Sequence, residues 1–483
     1  MRIRTVSCPL EGTDEFHLRE YADTANVFNA RDVTQTLMGF SPKLRPVCNE
    51  QWLSPKLSPV CNEQWLLPEA GATTADYATE NVAPKMTTLQ AVFTIANILV
   101  GAGMLSLPFG FRASGWSSVV VLVSVVALMS FTAYLIGATF DQTSGDPRLF
   151  CIRPESRDFS ALAYLAYGVR GRRIMAFVFA GEIWMAIIAL FVLFGINVEL
   201  VLGLSKSHGI LAAGIISFAL CYASMRLLGY LSMMSIFAVS SSVIALILGG
   251  VALPQRDPVL ESYHQVFRMD GLLCTLGLCL FCFGGHPCLP SVYWGMQDRS
   301  KFTVACAGGF VIAGCFYLFV ACIGYYYFGN FVHQSFTANL GYDLTGRPLK
   351  GFVFLSVLSS AGFLIKLQGT IPLLLGPVMS VFESALGLNQ AATTWEIHLL
   401  RCLTVALTAL VALLFQDAVN AVCGISGCAL VMVTSIIFHC AVFYKLAKDV
   451  HVVLSFVLVG VISFGIIFGV VGTYDGIVRV AAR

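Results

Sequence analysis

The sequence predicts an all-α polytopic membrane protein of about eleven transmembrane helices, built as inverted five-helix repeats with broken first and sixth helices. Three observations predict it. The 483 residues are 57% hydrophobic and only 12% charged, where a soluble domain carries about 25% charge. Beyond residue 85 the chain is a series of apolar runs, each of a length that crosses ~30 Å of hydrocarbon. The first and sixth of these runs are interrupted by glycine and proline, the residues that break helices.

In chain order, residues 1–85 form a polar tail rich in Pro, Asn and Thr, read as disordered and cytosolic. It lacks the apolar core of a secretory signal. It holds a tandem 13-residue repeat, "SPKLRPVCNEQWL" at 41–53 and "SPKLSPVCNEQWL" at 54–66. Either this is a duplication in unconstrained sequence, or it is a doubled linear motif for a cytosolic partner. Residues 86–483 form the transporter-like membrane domain, with spans near 88–111, 116–140, 173–203, 209–225, 231–253, 271–294, 302–328, 352–382, 396–415, 418–443 and 451–472. Between the second and third, "RDFSALAYLAYGVRGRR" repeats its apolar residues at helical spacing, which suits a short helix lying on the membrane surface. Six arginines in that gap (Arg148, Arg153, Arg157, Arg170, Arg172 and Arg173) place it, and the N-terminus, in the cytosol. The C-terminus is then lumenal or extracellular.

The first break reads "NILVGAGMLSLPFGF" (97–111) and the sixth-span break reads "CFGGHPCLP" (282–290). Lipid offers no partner for bare backbone, so each break must face protein or a wet cavity. The first half-helix ends in carbonyls and the second begins with amide hydrogens, carrying partial negative and positive charge. A free amino acid is a zwitterion that matches both ends. The substrate-binding candidates are therefore Asn97, Gly101, Gly103, Met104 and Ser106 at the first break, and Phe283, Gly284, Gly285 and His286 at the second. Met104, Phe283 and Tyr293 are the candidates for an apolar pocket, with membrane packing as the alternative for each.

These residues give the chain its family likeness. "NILVGAGMLSLPFGFRASGW", "DFSALAYLAYG", "GEIWMA", "GGHPCLPSVYWGMQDRSKF" and "FLIKLQGTIPLLLGPVMSVFE" resemble the amino acid/auxin permease family. The likeness is nearest to the branch of the vacuolar amino acid transporters and the vesicular inhibitory amino acid transporter. It covers roughly residues 87–385, and the last three spans loosely. It implies eleven spans in the leucine-transporter arrangement, amino acid movement coupled to protons, and work on acidic organelles. Two departures stand out. His286 is followed by Pro287, and the third span ends "LFGINVELVL", so neither GABA nor glycine is assigned.

Ionisable groups within spans are costly, at least ~2.5–3.5 kcal/mol each, and mark function by default. Lys366 lies midway along the eighth span. In the fold that the resemblance implies, a cation site lies between the first and eighth spans, and a lysine ammonium there replaces sodium. Its alternative role is a structural ion pair. Glu182, in the third span, matches a glutamate of the family pattern and serves either as a proton relay or as a hydrogen-bonding support. His286 suits a pH-sensitive site or simply satisfies freed backbone. The proton-coupling candidates are thus Glu182, Lys366 and His286.

Other classes find little support. Most of the 16 cysteines sit singly in apolar runs, where they pack as small hydrophobes, so neither a metal nor any other cofactor is expected. No intramembrane protease motif occurs, so the chain is not read as an enzyme. The net charge of +2 gives no reason to expect nucleic acid. The expected partners are an amino acid, protons, the lipid membrane and a cytosolic partner of the tail, in a vacuolar, lysosomal or vesicular membrane or else the plasma membrane. Sodium coupling, or an amino acid sensor of transporter fold, are the alternatives.

Overall fold

The computed structural model describes residues 85–483 apart from 151, 153–156, 224, 254–263, 387–393, 448, 482 and 483. The tail and its repeat lie outside the described residues, Lys85 excepted. Each of the eleven apolar runs finds a helical segment among the described residues. α1 is broken into Thr88–Leu99 and Leu107–Ser114, joined through a 3-10 turn at Ala102–Leu105. α2 is Ser118–Thr143, α3 Phe159–Leu202, α4 Lys206–Leu220 and α5 Met225–Val251. α6 is broken into Leu272–Cys282 and Leu289–Gly295. α7 is Phe302–Phe328, α8 Val353–Ala385 and α9 Thr394–Leu414. α10 runs Val419–Ser426, then Gly427–Ile437 in π-helical form, then Phe438–Leu446. α11 is Val452–Ala481. Among the described residues, eight candidate spans are long and apolar enough to cross a membrane, and Thr88–Leu99, Lys206–Leu220 and Phe237–Val251 are shorter apolar helices. The protein is an integral, multi-pass membrane protein.

Local chemistry sets the helix ends. Thr87 opens α1 with a capping box: its side chain accepts from the Gln90 amide while the Gln90 side chain accepts from the Thr87 amide. Asp158 caps α3 through the Ser160 amide at 2.8 Å. α3 begins well before the apolar run expected at 173. Its first turns carry the segment expected as a separate short helix, and a break at Gly168 sets them off from the rest of α3. At Gly168 the backbone turns with φ 68°, a conformation that favours glycine. The turns before it are buried on nearly every side, with Phe159 against Phe438 and His439 of α10. Helical spacing was legible there, but the second buried face is supplied by residues almost 280 positions away, roughly the reach of tertiary packing that no local pattern reveals.

The packing reveals the internal repeat. Exchanging each helix with the one five places on maps the contacts onto one another. α1 packs on α7, and α6 packs on α2. α3 packs on α10, and α8 on α5. α2 meets α10 as α7 meets α5, and α4 meets α8 as α9 meets α3. The pairs α3–α8, α4–α9 and α2–α7 map onto themselves. One pair lacks its counterpart. The first half of α6 packs closely on α10, with Gly277 against Gly424 and Gly427, while among the described residues the first half of α1 makes no comparable contact with α5. The two repeats are therefore alike in topology and unlike in closure.

On the side where α1 and α6 begin and end respectively, the segment entering α1 pairs with the segment leaving α6. Met86 donates its amide to the Gly295 carbonyl at 2.8 Å, and Gln297 donates to the Met86 carbonyl at 2.9 Å.

Candidate functional site

Proline starts each second half-helix. Pro108 sits in the first turn of the second half of α1, Pro287 in the short 3-10 turn of α6, and Pro290 in the first turn of its second half. Proline lacks the amide that a helix start leaves unpaired. The two breaks interlock. A Cβ on Gly103 would lie 2.6 Å from the Cys282 sulfur, and one on Gly285 would lie 2.8 Å from Leu99. Gly103 and Gly285 thus let the broken helices pack closely on each other. Gly101 differs. Its backbone is extended, and a Cβ there would meet only the Leu99 carbonyl at 3.8 Å. A methyl-sized group therefore has room beside Gly101.

The carbonyl end of the first half of α1 is held by two side chains from far along the chain. Tyr317 of α7 donates its hydroxyl to the Leu99 carbonyl at 2.6 Å and accepts the Gly101 amide at 2.9 Å. Lys366 of α8 directs its ammonium to the Val100 carbonyl at 3.4 Å. Lys366 is 7% exposed and has no carboxylate partner among the described residues. The first-to-eighth-span placement expected for this lysine is what the structure has. Tyr317 was not singled out in the sequence, where its hydroxyl looks like that of any other tyrosine.

Glu182 of α3 is buried and accepts a hydrogen bond from Thr434 of α10 at 2.6 Å. Its other oxygen lies 3.2 Å from where a Cβ on Gly284 would stand. Glu182 therefore joins α3, the π-helical part of α10 and the break in α6. π-Helical segments are rare and concentrate at functional sites.

His286 and Phe283 occupy protein contacts instead of standing free at the gap. The His286 ring meets the Thr132 hydroxyl at 2.8 Å and the Met129 carbonyl at 3.1 Å on α2, and it stacks on His439 of α10. Phe283 packs on Phe310 and Tyr317. The physical reason is the tight 3-10 turn after Gly285, which directs the next side chain toward α2. Met104 is fully buried. Tyr293 is committed to Asp141 at 2.5 Å and lies in an aromatic cluster with Phe140 and Phe302, apart from the breaks. Asn97 is exposed on the face of α1 that also carries Leu89 and Phe93, and its amide bonds to no side chain among the described residues.

Ser106 closes the other end of the first break. Its hydroxyl donates to the Gln334 carbonyl at 3.4 Å, in the loop between α7 and α8. That loop is seated over the breaks. Arg112 donates to the Val332 carbonyl at 2.7 Å, Gln334 to the Asp417 carbonyl at 2.6 Å, and Thr337 to Asn197 of α3 at 3.2 Å. Within it, burial first and the Arg112 guanidinium second hold His333 below the usual imidazole range.

Two interlocked broken helices, carried between α3, α8 and α10 with a lysine and a glutamate at the breaks, define a membrane transporter. The pattern of the transmembrane amino acid transporter protein family matches residues 84–478. The chain belongs to that family, whose members are transporters and not enzymes. The match takes in the last three spans, which the sequence likeness covered only loosely. The amino acid transporter AVT1J of Arabidopsis thaliana is 25% identical over 405 residues, 80% of this chain and 90% of that one. AVT1H of the same plant is 29% identical over 267 residues, 52% of this chain and 58% of that one. Among solved structures, a substrate-bound, outward-open Na+-coupled sialic acid symporter aligns with a TM-score of 0.49 at 12% identity, over 87% of this chain and 92% of that one.

Proposed function

We propose that the protein is a proton-coupled secondary transporter that moves neutral amino acids by alternating access. The observation that carries the coupling is Lys366, whose ammonium faces the Val100 carbonyl at the break of α1. A fixed cation at this point takes the place of a bound metal ion and exchanges its proton when the cavity wets and dries. Glu182 holds the second proton position, with Thr434 and the break of α6 as its contacts. The substrate lies beside Gly101, its ammonium toward the carbonyl end of the first half of α1, where Asn97 is also exposed on the same half-helix.

Alternating access is supported by the unequal closure of the repeats. The α7–α8 loop and the α6–α10 contact close the side where α1 ends, and among the described residues the equivalent α1–α5 contact on the opposite side is weaker. Transport consists of exchanging which of these two equivalent contacts is made. The membrane is that of a vacuole, lysosome or vesicle, or alternatively the plasma membrane, with a cytosolic N-terminal tail that docks a partner.

Uptake into proteoliposomes under an imposed pH gradient, compared with a sodium gradient over a panel of amino acids, tests this reading. A pH gradient should drive uptake of neutral acids, and sodium should not. Lys366→Ala should bind substrate yet lose proton-driven accumulation. Uptake by that variant that is still proton-driven overturns the role of Lys366, and sodium-driven uptake overturns the coupling altogether.

A further inference from the structure

A cavity lies on the side where α1 and α11 end. It is about 400 Å³ in volume and is enclosed by the second half of α1, the first half of α6, α10 and α11. Its charged lining is Arg112, Arg268, Asp270, Asp475 and Arg479, one positive charge in excess. The charges are unequally matched. Arg479 is paired with Asp475 at 2.6 Å and also donates to the Asp270 carbonyl. Arg112 and Arg268 repel each other and neither is paired with a carboxylate among the described residues. Arg268 is exposed, so it can turn to an anion without breaking a structural bond.

Deeper in the cavity is Asn420, only 2% exposed. Its amide nitrogen donates to the Gln334 carbonyl at 3.4 Å, and its amide oxygen, itself buried, has no partner among the described residues, so a small turn of the side chain is what presents it to the cavity. A buried polar atom without a partner costs about 1–3 kcal/mol, and each such atom asks for an explanation. The acceptor and the guanidinium pair ask for opposite things. One needs a donor and the other needs an anion.

We propose that this cavity binds a free amino acid as a zwitterion, carboxylate on Arg112 and Arg268 and ammonium on the Asn420 oxygen. The inference rests on the amino acid reading of the central site but uses different residues. The occupant would sense the central break through a single carbonyl, because Gln334 accepts from both Asn420 and Ser106. The site is thus a docking position for substrate on the closed side, behind the seated loop.

Calorimetric titration of the detergent-purified full chain tests it, with L-alanine first and each of the other standard amino acids in turn. Two molecules should bind per chain. Arg268→Gln should weaken one site by about tenfold or more, the loss expected for a charged hydrogen bond, and leave the other unchanged, while Arg268→Lys should restore part of it. Acetate and ethylamine, which each carry half of the zwitterion, should compete poorly. One molecule per chain, two sites indifferent to Arg268→Gln, or no binding by any amino acid overturns the proposal. A phosphatidylethanolamine headgroup carries the same two charges, so loss of the second site on transfer to nanodiscs of that lipid also overturns it and assigns the cavity to lipid. Should the second site stand while no gradient drives uptake, the transport reading fails and this one survives.

Discussion

Tyr317→Phe isolates what the broken helix needs from its neighbours. The ring stays, so its edge contact with Phe283 is kept and no cavity forms. What goes is one hydroxyl that serves two backbone groups, the Leu99 carbonyl at 2.6 Å and the Gly101 amide at 2.9 Å. Tyr317 and Leu99 are 0% and 3% exposed, so little water is at hand to replace it. Each stranded group costs about 1–3 kcal/mol, or roughly 2–6 kcal/mol for the pair, the lower end applying if one water enters. At about 2 kcal/mol the conformation with this break is disfavoured roughly thirtyfold. The assays are thermal unfolding in detergent and the substrate dependence of uptake. The variant should unfold at lower temperature and show a raised KM, with membrane insertion unchanged. A variant matching the wild type in both would mean that the break is satisfied by groups other than Tyr317.

Three further outcomes follow from the same geometry. Gly101→Ala has room for its methyl, whereas Gly103→Ala drives it into Cys282 at 2.6 Å; the second should therefore lower thermal stability by about 1–3 kcal/mol while the first spares stability, and Gly101→Val should abolish uptake with folding largely kept. Glu182→Gln keeps an acceptor for Thr434 but removes the ionisable proton; uptake should persist with a flattened pH profile, and an unchanged profile would reject the relay. His333 titrates below its usual range when the α7–α8 loop is seated, so the released loop binds the proton more tightly. The loop is fully held above about pH 6.5 and loosens as pH falls below that value; protection from hydrogen exchange over 329–351, measured relative to the intrinsic rate at each pH, should fall on acidification, and His333→Phe should remove that fall.

The spans and both breaks were legible in the sequence because their signals are local: run length, and glycine beside proline. The identity of Lys366 and Glu182 as candidates was legible too, since an ionisable residue inside an apolar run stands out alone. What each one touches was not. The partner of Lys366 is a backbone carbonyl 266 positions away, and any residue type supplies that group. Tyr317 was hidden among 16 tyrosines. The π-helical form of Gly427–Ile437 leaves no periodic trace over so short a stretch, so Thr434 looked like an ordinary buried hydroxyl. His286 was placed at the break correctly in sequence, but a tight turn fixes the direction of a side chain, and that direction depends on backbone angles that composition does not encode.

The backbone pairing of Met86 with Gly295 and Gln297 has a mechanical consequence. It fastens the outer ends of both broken helices together through two backbone hydrogen bonds, so a displacement of the first half of α1 would be carried directly to the second half of α6.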